Sequence, residues 1–180
     1  MAVTIQDLKN AIRSVPDFPK KGIVFRDITT LIKEGRLFRA SVDALCDWCG
    51  DRRIEAVVCT ESRGFIFGSA IAYRLGAGVV PVRKKGKLPH ETYSAEYELE
   101  YGTDALEMHR DAFVRGSSVL IVDDLLATGG TAAATAQLVK NLEAKIEGIA
   151  FIIELSFLKG REKLKGYDVF SLSQYASENE

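Results

Sequence analysis

Residues that build metal centres and covalent frameworks are scarce in this chain: among 180 residues there are two histidines, three cysteines and one tryptophan. Three cysteines cannot all pair. Cys46 and Cys49 form a C-x-x-C, but it lies inside a helical pattern, no second pair exists, and His90 and His109 are far away in sequence. Buried, reduced thiols are therefore expected rather than a metal or redox site. No apolar run approaches the roughly 18 residues of a membrane-spanning helix. The amino end, M-A-V-T-I-Q-D-L-K-N, has charge where a secretory signal needs an apolar core. A soluble, cytoplasmic protein is expected. Excess charge is missing as well: 24 basic residues stand against 25 acidic ones, for a net charge of −1, and no basic block marks a nucleic-acid surface. The length suits one domain with a proper core.

Two common phosphate motifs are also absent. No G-x-x-x-x-G-K-[ST] occurs, and Gly76-Ala77-Gly78 begins like a dinucleotide fingerprint but has Pro81 at the place of the third glycine. What is present is the stretch from Ser118 to Leu142. Val119 to Val122 is an apolar run without alternation, as expected of a strand buried on both faces of a parallel sheet. Asp123 and Asp124 follow at the carboxyl end of that strand, the edge where open α/β sheets hold ligands. Then come Thr128-Gly129-Gly130-Thr131 and helix formers from Ala132 to Leu142. The glycines let backbone N–H groups converge, the threonines add hydroxyls, and the helix start offers unpaired amides with partial positive charge. Such a loop suits a phosphate monoester. The aspartates would repel that anion, but they can accept hydrogen bonds from the hydroxyls of a ribose attached to it. A signalling receiver domain also opens with a strand and an Asp pair. It needs several further βα units, at roughly 30 residues per βαβ unit, and the tail beyond Asp124 is too short for them.

The remaining chain supplies the frame. Thr4 caps a first helix whose face carries Ile5, Leu8, Ile12 and Val15, with Asp7 placed to return the bond and Pro16 and Pro19 to stop it. Residues 16–29 have no clean period and read as a packed binding loop. A helix is expected over Arg36 to Cys49. A strand over Ala56 to Cys59 leads through Thr60-Glu61-Ser62-Arg63-Gly64 into a helix from Phe65 to Leu75, and the charged donor Arg63 favours an anion richer in charge than a monoester. Val79 to Val82 is the next strand, and Arg83, Lys84 and Lys87 follow it as a polyphosphate candidate. Tyr93 to Tyr101 alternates strictly, as a half-exposed strand does. It returns through Leu106 to His109 as a strand or a short capped helix, an excursion suited to a lid. Gly148 to Leu155 and Asp168 to Leu172 close the sheet around a basic turn, Lys159 to Lys163. The last four residues, S-E-N-E, are expected to fray.

The strand, acidic pair and T-G-G-T loop resemble the signature of the phosphoribosyltransferases, which use phosphoribosyl pyrophosphate (PRPP). P-D-F-P with G-I-V-F-R-D-I-T, E-S-R-G-F-I-F-G, and V-R-K-K-G-K-L-P continued by E-L-E-Y-G-T-D-A-L-E are similar to the members of that family that act on adenine. The resemblance implies an open, mostly parallel twisted α/β sheet flanked by helices, with a hood over residues 1–35 and a β-hairpin lid over 88–110 in one domain. It implies that Ala127, Thr128, Gly129, Gly130 and Thr131 hold the ribose 5-phosphate, that Asp123 and Asp124 hold the ribose hydroxyls, and that Ser62 and Arg63 face the pyrophosphate. Arg83, Lys84 and Lys87 would complete that site in a homodimer, reaching across from the neighbouring subunit. Val24, Phe25 and Arg26 would receive adenine, and Glu100 on the lid would handle the purine proton. Mg²⁺ would arrive on the PRPP oxygens. Some family members have Asp where this chain has Glu61, which bears only on the local loop geometry.

Overall fold

The computed structural model describes residues 3–98 and 103–180. Glu100, expected on the lid, and the end of the alternating stretch at Leu99 and Tyr101 lie outside the described residues. Nine strands and five helices follow one another as α1 (Ile5–Asn10), β1 (Arg13–Pro16), β2 (Val24–Asp27), α2 (Thr29–Ile32), α3 (Gly35–Cys49), β3 (Ala56–Thr60), α4 (Gly64–Leu75), β4 (Gly78–Lys84), β5 (Thr92–Glu98), β6 (Thr103–His109), β7 (Ser118–Leu126), α5 (Gly130–Asn141), β8 (Lys145–Leu155) and β9 (Val169–Tyr175) among the described residues.

Seven of these strands form one sheet in the order β5-β6-β4-β3-β7-β8-β9. The run from β4 to β9 is parallel, and the β5–β6 hairpin adds an antiparallel edge. β7 lies beside β3, with Val58 opposite Ile121 and Cys59 opposite Val122. Its apolar run is covered on both faces: Leu120 and Val122 join the core built with α3 and α4, while Val119 and Ile121 join the core built with α5. Each such fully buried aliphatic contributes about 1.5–3 kcal/mol. α4 ends where Gly76 takes a left-handed φ of 68° and the Ala77 N–H bonds back to the Ala72 carbonyl at 2.9 Å, a terminus that favours glycine.

Several boundaries differ from the sequence-based expectation. β7 does not stop at Val122 but runs to Leu126, because β8 extends alongside it, pairing Asp123 with Phe151 and Leu126 with Glu154. Asp123 and Asp124 are thus strand residues. The Thr4/Asp7 capping box forms as expected, yet α1 ends at Asn10. Arg13–Pro16 instead pairs antiparallel with Val24–Asp27, inside what was read as a binding loop. β4 includes Arg83 and Lys84, and Thr103–His109 is a strand rather than a capped helix, paired along its length with β5. The basic turn is a pair of short 3₁₀ helices, with Arg161 held on Glu154 at 2.8 Å. The final S-E-N-E is docked, not frayed: Glu178 and Glu180 bind Arg26, and Glu180 also binds Lys9.

Candidate functional site

At the carboxyl ends of β3 and β7 lies a cavity of about 360 Å³. Its wall brings together Ser62, Arg63, Lys84, Asp123, Asp124 and the whole loop Ala127–Thr131. Parallel neighbouring strands all end at this edge and turn there into their following loops, so residues far apart in sequence share one hollow.

The Ala127–Thr131 loop is shaped by its glycines. Gly129 has φ +79° and precedes the first turn of α5, which no side chain caps. The opening amides of a helix have no acceptor within it, so those of Gly130, Thr131 and Ala132 are available to an anion beside the positive end of the helix dipole. Gly129 also packs on the backbone of Gly160, from the connection between β8 and β9, and neither position has space for a Cβ.

Asp123 is half-buried and Asp124 is buried. Asp123 Oδ1 accepts from the Asp124 N–H at 2.8 Å. Asp124 is only 6% exposed, and its Oδ2 lies 2.7 Å from Arg63 Nε. The N–H is not aligned with that oxygen, so the contact is an ion pair and Oδ2 has no hydrogen bond. A buried carboxylate oxygen with an unspent lone pair is costly unless a donor arrives. Burial pushes the Asp123 carboxyl well above its ordinary pKa, helped by the Asp124 charge. Asp124 is also raised by burial, against the pull of Arg63. Gly64 makes the approach possible, since a Cβ there would stand 2.8 Å from Asp123 Oδ1.

On the opposite wall, Lys84 Nζ lies 3.1 Å from Asp104 Oδ2, and the Tyr97 hydroxyl donates to the same oxygen at 3.3 Å. The hydrogen bond to Asp104 holds the Lys84 ammonium above its ordinary pKa. Glu61 Oε2 accepts from the Lys84 N–H at 2.9 Å and from Arg83 Nε at 3.2 Å. Arg83 spends another donor on the Lys87 carbonyl at 3.3 Å. Neither Arg83 nor Lys87 lines this cavity. Phe25 stands beside it, its ring 5.0 Å from the Arg63 guanidinium carbon. The Arg26 side chain turns the other way and is buried beneath the carboxyl-terminal segment. Glu100 lies outside the described residues.

Sequence reasoning did not single out Thr60, Tyr97, Asp104 or Gly160. Thr60 carries a buried hydroxyl without a hydrogen-bond partner and lines the cavity; its place at a strand end next to the E-S-R turn was the available signal. Tyr97 could have been placed by strand alternation, but the contact of Gly160 with Gly129 has no local signature.

The phosphoribosyl transferase domain family matches residues 31–178. The chain belongs to that family. Among its relatives, the adenine phosphoribosyltransferase of Thermotoga neapolitana is 56% identical over 169 residues, 94% of this chain and 99% of that protein. The solved adenine phosphoribosyltransferase of Thermoanaerobacter pseudethanolicus superposes with a TM-score of 0.93 at 53% identity, covering 96% of this chain and 100% of the other. That of Saccharomyces cerevisiae, complexed with adenine and an imino-altritol bisphosphate, gives a TM-score of 0.90 at 46% identity, covering 94% and 98%. The expected family and its α/β fold are borne out. Among the described residues no helix is long and apolar enough to cross a membrane, and no group of three or more His, Cys, Asp or Glu side chains is arranged to hold a metal ion.

Proposed function

We propose that this phosphoribosyltransferase transfers the 5-phosphoribosyl group of PRPP to N9 of adenine, giving AMP and pyrophosphate. The observation that carries the reading is the cavity in which an acidic pair, with one buried carboxylate oxygen that accepts no hydrogen bond, faces an uncapped helix start across the Ala127–Thr131 loop. The names of the relatives supply the base.

In this reading the loop amides and the Thr128 and Thr131 hydroxyls take the 5-phosphate, and Asp123 and Asp124 take the two ribose hydroxyls. As the bond from C1 of the ribose to pyrophosphate breaks, positive charge develops on the ring, and the carboxylates below it favour that charge. Ser62, Arg63 and Lys84 neutralise the leaving group. Arg63 starts on Asp124, so a bound pyrophosphate would compete for it and leave the acid to the sugar. The purine N9 forms the new bond with inversion, and Glu100 accepts the proton that the base gives up. Phe25 packs on the purine, and Val24 and Arg26 read its edge through their backbone. Closure of the lid over 88–110 excludes water, the competing nucleophile.

Mg²⁺ would come with PRPP, since the ion retains waters and favours phosphate oxygens; it would offset charge on the leaving pyrophosphate. Arg83 and Lys87 do not line this cavity and would complete the pyrophosphate site of a second copy in a homodimer. A cytoplasmic location suits an enzyme that consumes PRPP and free base in purine salvage.

The test is an assay of the protein with Mg²⁺, PRPP and adenine, hypoxanthine, guanine or orotate in turn, scored for nucleotide and pyrophosphate. AMP from adenine alone is expected. PRPP binding without product from any base would replace the enzyme with a PRPP sensor.

A further inference from the structure

β1 and β2 form a two-stranded sheet apart from the main one. A two-stranded ribbon is marginal by itself in water, so something must fix the position of Phe25. The side chain that does so most visibly is Arg26, 2% exposed. Its guanidinium donates to the Glu178 carbonyl at 2.8 Å, the Glu180 carbonyl at 2.8 Å and Ser14 Oγ at 2.5 Å, and it lies over the Tyr175 ring at 4.0 Å. The same carboxyl-terminal tail acts on the strand a second time. The Glu178 carboxylate accepts from the Val24 N–H, and Glu178 is half-buried between exposed neighbours Ser177 and Asn179. Lys9, from α1, holds the tail from the other side through Glu180 Oε1 at 2.5 Å and the Gln174 carbonyl at 2.6 Å.

We propose that Glu178 is a positioning residue for the base-binding strand: its carboxylate sets the Val24 amide, and with Arg26 it fixes where Phe25 stands relative to Arg63. This rests on the proposed role of Val24–Arg26 in receiving adenine. The geometry separates the two halves of the tail contact. The Arg26 bonds to the tail go to main-chain carbonyls and survive any substitution at Glu178, whereas the Val24 bond needs the side chain. A hydrogen bond from a backbone N–H to a carboxylate is short and strong, and its loss would free the edge of β2 without unfolding the sheet behind it.

Glu178→Ala and Glu178→Gln distinguish this from a merely structural tail. In the unliganded protein, amide hydrogen exchange at Val24 is expected to speed up about tenfold in Glu178→Ala, an effect of the size of one charged hydrogen bond, with the β7 amides unchanged. KM for adenine should rise about tenfold, while KM for PRPP stays within about twofold. Glu178→Gln keeps an acceptor oxygen and should restore most of both. Unchanged exchange at Val24 in Glu178→Ala would overturn the proposal, as would equal rises in the two KM values. If the wild-type protein forms no AMP, the adenine role falls with the proposed function, and the exchange measurement alone then judges the clamp.

Discussion

Gly129 and Gly160 meet backbone to backbone: a Cβ on Gly129 would press on the Gly160 carbonyl oxygen, and one on Gly160 on the Ala127 carbonyl oxygen and, at 3.0 Å, the Gly129 nitrogen. The loop that faces the cavity is therefore supported by a glycine 31 residues further along the chain than Gly129. Backbone atoms on both sides cannot swing aside as a side-chain tip can. Gly160→Ala is expected to displace the Ala127–Thr131 loop, at a cost of about 1–3 kcal/mol for overpacking, and to weaken AMP binding about tenfold or more. Titration calorimetry with AMP and a thermal melt check it. Gly35→Ala, where nothing lies within 4 Å of the added atom, is the control. Equal AMP affinity in the two variants would remove Gly160 from the site.

That contact also marks the limit of what the sequence discloses. The run from Val119 to Val122, the acidic pair and T-G-G-T are contiguous, so local pattern was enough to place strand, turn and helix. The end of β7 was misplaced because Asp123 and Asp124 look like a loop, and only the length of β8 shows otherwise. Gly160 was hidden inside a basic stretch because its partner is remote. The docked S-E-N-E looked like a solvated tail for the same reason: its attachment depends on Arg26 and Lys9, 152 and 171 positions away in the chain. Short-range chemistry is legible from composition and spacing, whereas packing between distant segments becomes visible only in three dimensions.

The C-x-x-C yields a simple chemical expectation. Cys46, Cys49 and Cys59 are all buried and free. Burial pushes the Cys46 thiol up to about 11 and the Cys59 thiol to about 12, and it raises Cys49 as well. Little thiolate forms at neutral pH, and the thiolate is the reactive species. Ellman's reagent should find no rapidly reacting thiol in the native protein and three after denaturation. A fast phase in the native state would mean that α3 or β3 opens far more readily than its packing suggests.

Asp124→Asn probes the acid nearest to Arg63. The substitution leaves size and shape almost unchanged but removes the charge from Oδ2, the buried oxygen that has no hydrogen bond. If that oxygen accepts a ribose hydroxyl in the reaction, the lost charge-assisted bond is worth roughly 1.5–3 kcal/mol, and kcat/KM for AMP formation should fall tenfold or more. Steady-state kinetics with PRPP and adenine measure it. Wild-type turnover would sink the role assigned to this carboxylate.

Asp123→Asn should separate stability from activity. Burial and the Asp124 charge hold the Asp123 carboxyl well above its ordinary value of 3.8, so the folded state binds the proton more tightly than the unfolded state does. Stability then declines as pH rises from about that value through the folded pKa, and above it the full cost of burying the charge is present. Asparagine has no charge to bury, and its Oδ1 can still accept from the Asp124 N–H. The variant should melt above the wild type at neutral pH, with an advantage that shrinks as pH is lowered toward 4, while AMP formation falls if the Asp123 charge faces the ribose in the reaction. Loss of the attraction to Arg63 works against the gain, but burial and the Asp124 charge outweigh it. Calorimetric melts at several pH values decide it: a variant less stable at neutral pH, or a difference that does not change with pH, would show that the ionised acid costs the fold nothing.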